Sequence, residues 1–92
     1  MGFLNAVKIK AEEMTKVAAK KASCLVEIAK NSAAITELND QIKALYRAIG
    51  EQVYVAAQTG NDTPDFSEQF RLISEYKEKV SFHQSEIDRL KN

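Results

Sequence analysis

The sequence predicts an all-α chain: one long N-terminal helix folded back by a second into an antiparallel coiled-coil helical hairpin. Three observations carry that expectation. Isoleucine recurs every seven residues at Ile28, Ile35, Ile42 and Ile49, with Leu38 and Leu45 three places after two of them. Isoleucine at a and leucine at d fill the holes of a facing helix. A second seven-residue ladder, Phe66, Ile73, Val80 and Ile87, follows a single turn signal. And no proline interrupts the chain before Pro64.

The first helix draws on good helix formers, chiefly alanine, lysine, glutamate and leucine, from Asn5 to Gln58. Its apolar phase extends back through Phe3, Val7, Met14, Val17 and Cys24 and forward to Ala56. Gly50 interrupts the run, and packing beneath a bulky side chain such as Tyr76 is the expected reason. A kink ranks second. Glu12–Lys16 and Glu75–Lys79 are spaced for i,i+4 pairing.

The break is placed near residues 58–64. Gly60 can adopt the left-handed conformation that ends a helix. Thr63 is the expected N-cap of the second helix, Pro64 its first residue and Asp65 an acid in its first turn. So short a corner implies antiparallel neighbours. Folding about Asn61 then sets Val53 near Phe70, Ile49 near Ile73, Leu45 near Tyr76, Ile42 near Val80 and Ile35 near Ile87. The expected hairpin core is Ile35, Leu38, Ile42, Leu45, Ile49 and Val53 against Phe66, Phe70, Ile73, Tyr76, Val80 and Ile87.

In that register the second helix ends opposite about Asn31. The chain therefore divides into a basic amphipathic helical extension, 1–30, and a hairpin, 31–92. The extension keeps an apolar stripe that the hairpin leaves uncovered, and Phe3, Leu4, Val7, Met14, Val17 and Leu25 form the expected association surface. Six lysines against three glutamates make this segment basic, while the residues from Asn61 onward are mildly acidic.

Composition limits the function classes. Ninety-two residues form one small domain, whose modest core is often completed by a partner. A formal net charge of zero gives nothing that favours nucleic acid. The lone Cys24 can form no internal disulfide, which fits a reducing compartment. No signal sequence or membrane-spanning run is legible, so the expected location is cytoplasmic. The start Met1-Gly2-Phe3-Leu4-Asn5-Ala6 lacks the serine or threonine that a myristoylation signal places sixth.

The run Leu38-Asn39-x-x-Ile42-x-x-Leu45-Tyr46-x-x-Ile49-Gly50-x-x-Val53-Tyr54 resembles the helical part of small zinc-ribbon proteins of clostridia and related bacteria. The opening Met1-Gly2-Phe3, the phenylalanine after the turn (Phe66) and Glu86-Ile87-x-x-Leu90-Lys91 extend the resemblance over most of the chain. It implies a helical hairpin and lends no activity. That family's paired-cysteine ribbon would follow Lys91, whereas this sequence ends at Asn92, so no metal site is implied.

Candidate chemistry is sparse. His83 falls at d between Val80 and Ile87 and reads as a half-buried boundary residue; Glu86 alone is too little for zinc, which takes about four ligands. Cys24 at d reads as a small hydrophobe. Asn31 and Gln52 are polar residues at d, set at the edge of the seam or fixing its register. Tyr46 and Tyr54 widen the stripe as core or oligomer contacts. Asn61-Asp62-Thr63 is simply a loop. There is no phosphate-binding glycine loop, and no serine sits where His83 could activate it. No catalytic residue, cofactor or metal is expected, and the chain reads as a non-enzyme.

Three functions compete. A self-associating scaffold or adaptor, a homo-oligomer or one with an unidentified protein partner, ranks first. A peripheral membrane-surface protein using the N-terminal amphipathic helix ranks second. A helical-hairpin partner of a secretion system ranks last, because the turn lacks a W-x-G motif.

Overall fold

The computed structural model describes the backbone of residues 2–92 and the side chains of residues 16–92. Helix α1 spans Gly2–Thr59 and helix α2 spans Ser67–Lys91, and no strand occurs among the described residues. At 1.5 Å per residue α1 should be about 87 Å long. The longest dimension is 89 Å and the other two are 16 and 13 Å. The molecule is thus a rod as long as its first helix, with α2 packed antiparallel on part of it. α1 continues through Gly50 without a break.

The end of α1 follows from its last residues. Gly60 takes φ +71°, a left-handed conformation that costs glycine little. The amide of Asn61 then donates to the carbonyl of Ala56 at 3.0 Å. That is the long bond of a Schellman cap. α2 begins three residues later than its turn chemistry suggests. Phe66, not Thr63, is the residue before it, with φ −102° and ψ 17°, and Pro64 lies in the loop. The Asp65 carboxylate accepts from the Ser67 amide at 3.0 Å and from the Ser67 hydroxyl at 2.5 Å. Those two bonds hold its pKa below the usual carboxylate range. An acid two residues ahead thus covers an amide that Thr63 does not reach.

Both ladders face each other. The buried side chains are Ile42 and Ala56 on α1, Ile73 and Ile87 on α2, and Phe66 at the start of α2. Cys24, Ile28, Asn31, Ile35, Leu38, Leu45 and Ile49 are half-buried along the same stripe of α1. Gln69, Tyr76, Val80, His83 and Leu90 are half-buried on α2. Two helices cover only one face of each other, so no large side chain is sealed completely among the described residues.

The register differs from the expected one by a full heptad. His83 Nδ1 and Asn31 Oδ1 lie 2.7 Å apart across the seam. Both side chains are short, so these residues share one level. Stepping seven residues up one helix and seven down the other sets Leu38 with Tyr76 and Leu45 with Gln69. The alternate layers follow: Ile28 with Ile87, Ile35 with Val80, Ile42 with Ile73, Ile49 with Phe66. At the far end Leu90 shares a cleft with Cys24 and Ile28. Lys77 Nζ lies 5.6 Å from the Tyr46 ring centre, as it should when both side chains lean toward their own N-termini and converge. Ile42 therefore meets Ile73 rather than Val80, and α2 reaches the level of Cys24 rather than Asn31.

The loop accounts for the shift. Instead of turning tightly, residues 60–66 run back along α1, and Asn61, Asp62 and Pro64 line a cavity of about 410 Å³ with Gln52, Val55 and Ala56. Ala56 is buried although α2 never reaches it. Two residues expected in the core are outside it. Val53 is 43% exposed, because the level of α1 beyond Ile49 is flanked by loop rather than helix. Phe70 is 56% exposed and rests its ring on Phe66, 6.2 Å between centres, on the outer side of the seam. Gly50 packs beneath nothing: a Cβ there would have no neighbour within 4 Å. In the observed register Tyr76 faces Leu38 instead.

Candidate functional site

Where α2 stops, the seam of α1 continues. At the mouth of the hairpin Val17, Leu25, Ile28 and Leu90 line an open cleft of about 650 Å³. Lys20, Lys21 and Lys91 stand around it. Val17 is 53% exposed, Leu25 65% and Val26 53%. Contiguous exposed apolar side chains are what a monomer avoids and an interface uses. Phe3, Leu4, Val7 and Met14, the remainder of the expected association surface, lie outside the residues whose side chains are described. Val17 and Leu25 are placed on one open surface, whereas Cys24 and Ile28 are drawn into the hairpin and extend it past the boundary expected at residue 30.

A second feature sits deeper in the seam. Asn31 Nδ2 donates to the carbonyl of Glu27 at 2.8 Å. That bond fixes which end of the amide is which, so Oδ1 faces α2 as an acceptor and His83 Nδ1 must donate to it. The imidazole edge also meets Phe82, with ring centres 5.4 Å apart. A polar layer in an otherwise apolar seam contributes less to stability than an apolar one but discriminates between alignments. The sequence marks both residues as polar at d, yet pairs neither with the other. Gln69 and Leu90 also enter the seam unannounced, and their signal was the phase itself: each lies three residues after a ladder position. Gln69 Oε1 is buried without a hydrogen-bond partner.

The outer face of α2 is a solvated charge network. Arg71 grips Glu68 through Nε and Nη2, at 3.1 and 2.6 Å, and reaches Glu75 through Nη1 at 3.0 Å. The Glu68 carboxyl is held below its usual pKa by that hydrogen bond and by the guanidinium charge. Glu86 is likewise lowered, first by its hydrogen bond from Arg89 and less by the charges of Arg89 and His83. Lys79 Nζ approaches Glu75 at 3.7 Å, the pairing its spacing predicts. Glu75 thus stands between two cations, Arg71 and Lys79, on the outer face of α2. No group of three or more histidine, cysteine, aspartate or glutamate side chains is placed to hold a metal among the described residues. Among the described residues no helix is long and apolar enough to cross a membrane.

Comparison with protein-family models, with curated proteins and with solved structures found no match. The likeness to the helical part of zinc-ribbon proteins therefore rests on the sequence motif alone.

Proposed function

We propose that the chain is a non-enzymatic self-association protein, a cytoplasmic scaffold or adaptor whose projecting N-terminal arm binds the arms of other copies. The observation that carries this reading is the cleft at the hairpin mouth. The stripe of α1 that α2 covers as far as Cys24 continues past the end of α2, with Val17 and Leu25 exposed on it. Another helix laid along that stripe would continue the packing that α2 begins. A second copy supplies such a helix in its own arm, already patterned to match.

The test is the molar mass of the intact chain by light scattering, from micromolar concentration upward, beside the variant Val17→Asp with Leu25→Asp. Both positions are exposed, so the hairpin should survive the change. The expected result is a multiple of the 10.3 kDa chain mass for the parent and a lower mass for the variant. A parent that remains monomeric throughout would remove the proposal. So would robust sedimentation with anionic vesicles at physiological salt, lost in the same variant, which would assign the lysine-rimmed arm to a membrane surface instead.

A further inference from the structure

We infer that the hairpin has two alignments one heptad apart, and that α2 can slide along α1 between them. Three observations converge on this. The isoleucine ladder of α1 repeats itself, so a shift of seven residues replaces Ile42 by Ile49 opposite Ile73 and leaves apolar facing apolar. The observed alignment leaves Gln69 Oε1 buried and unpartnered, while Gln52, one heptad beyond the residue facing Gln69, stands exposed. Sliding would bring these two amides to the same level and let them bond. Finally, residues 60–66 are drawn back along α1 beside a cavity, a span that a slide of α2 toward Gly60 would shorten, so the loop permits the shift.

What holds the observed alignment is the Asn31–His83 contact. In the alternative His83 would face Leu38 and Asn31 would face Leu90, so that bond would be lost as the glutamine pair formed. The two polar layers therefore oppose each other, one supporting each alignment. Shifting an element by whole turns is an established way for packed helices to switch, because intermediate positions pack badly. A slide would also uncover Cys24 and Ile28, lengthening the open stripe at the hairpin mouth by one heptad.

Chain length gives a test that does not depend on what the arm binds. In the observed alignment Gly60 projects about 18 Å beyond the level of Ser67. The seven peptide steps between them reach roughly 23–25 Å when extended. Deleting Asp62 and Thr63 leaves five steps, roughly 17–18 Å, too short once the gap between helices is added, yet ample for the shifted alignment. Spin labels at Ala22→Cys and Ser74→Cys, both exposed, in a Cys24→Ala chain diluted with unlabelled protein, read the alignment directly. The shifted state lengthens their separation by about 10 Å, one heptad of rise. The deletion variant should stay helical, melt cooperatively and show the longer distance. Asn31→Leu, with the full loop, should show both. The inference is overturned if the deletion variant keeps the shorter distance by unwinding the start of α2, or loses its cooperative helical fold. It is also overturned if folded Asn31→Leu shows one unchanged distance.

Discussion

Asn31 and His83, 52 positions apart in the chain, meet with Oδ1 and Nδ1 at 2.7 Å in the middle of an apolar seam. The amide is already committed to the Glu27 carbonyl through Nδ2, so the imidazole is the one donor on α2 that answers its oxygen. Removing either member strands the other beside Ile35, Ile87 and Val80. Asn31→Ala and His83→Ala should each lower stability by about 1–2 kcal/mol, and the double variant should cost less than the sum. A double-mutant cycle from urea melts measures the coupling. Additive effects would mean that the contact contributes nothing.

The two internal glycines should respond with opposite sign. Gly50 is helical, exposed and has open space where a Cβ would go, so Gly50→Ala should stabilise by about 1 kcal/mol. Gly60 has equal space but φ +71°, so Gly60→Ala should destabilise by about 1 kcal/mol. Thermal melts of the two variants, read by helical circular dichroism, would show it. A Gly50→Ala protein that melts lower than its parent would reveal a role for that glycine other than its conformation.

Charge should be ruinous inside the seam and harmless just outside it. Ile42 is buried opposite Ile73, whereas Val53 is 43% exposed. Ile42→Asp places an unpaired carboxylate among apolar groups and should abolish cooperative unfolding. Val53→Asp should stay within about 0.5 kcal/mol of the parent. Equal damage from both would restore Val53 to the core and reject the present alignment.

Acid should weaken the hairpin in a narrow window. Asp65, Glu68 and Glu86 have pKa values lowered in the fold by hydrogen bonds from Ser67, Arg71 and Arg89. A lowered folded value means the stabilisation is present above the unfolded carboxylate range. It is lost as pH falls below about 4 through the folded values. Asp65 and Glu68 are exposed and Glu86 is partly so, so the loss should be small and should shrink further in salt. Urea midpoints from pH 7 to 2.5 test this. Arg71→Ala should flatten the portion due to Glu68, and a midpoint that rises on acidification would contradict the assignment.

Most of the architecture was legible locally. The ladders Ile28 to Ile49 and Phe66 to Ile87 determined two helices, which stripe each buries and their antiparallel course, because a seven-residue period fits the α-helix and no proline interrupts it. Gly60 marked the end of α1 for a backbone reason that involves no distant contact. The start of α2 was less legible: Thr63 and Pro64 carry the usual signals, but Asp65 caps from its own place and Phe66 is needed in the seam.

Alignment was the part that the sequence by itself left open. A ladder that repeats every seven residues pairs equally well with a partner shifted by seven, and the shorter loop favours Ile42 beside Val80. Which polar residue meets which polar residue separates the two, and that is a relation between distant segments. The tertiary structure joins Asn31 to His83, draws α2 down to Cys24 and lays the loop over Ala56. Val53 and Phe70 are left outside for the same reason: their apolar character is local, but burial depends on what stands opposite.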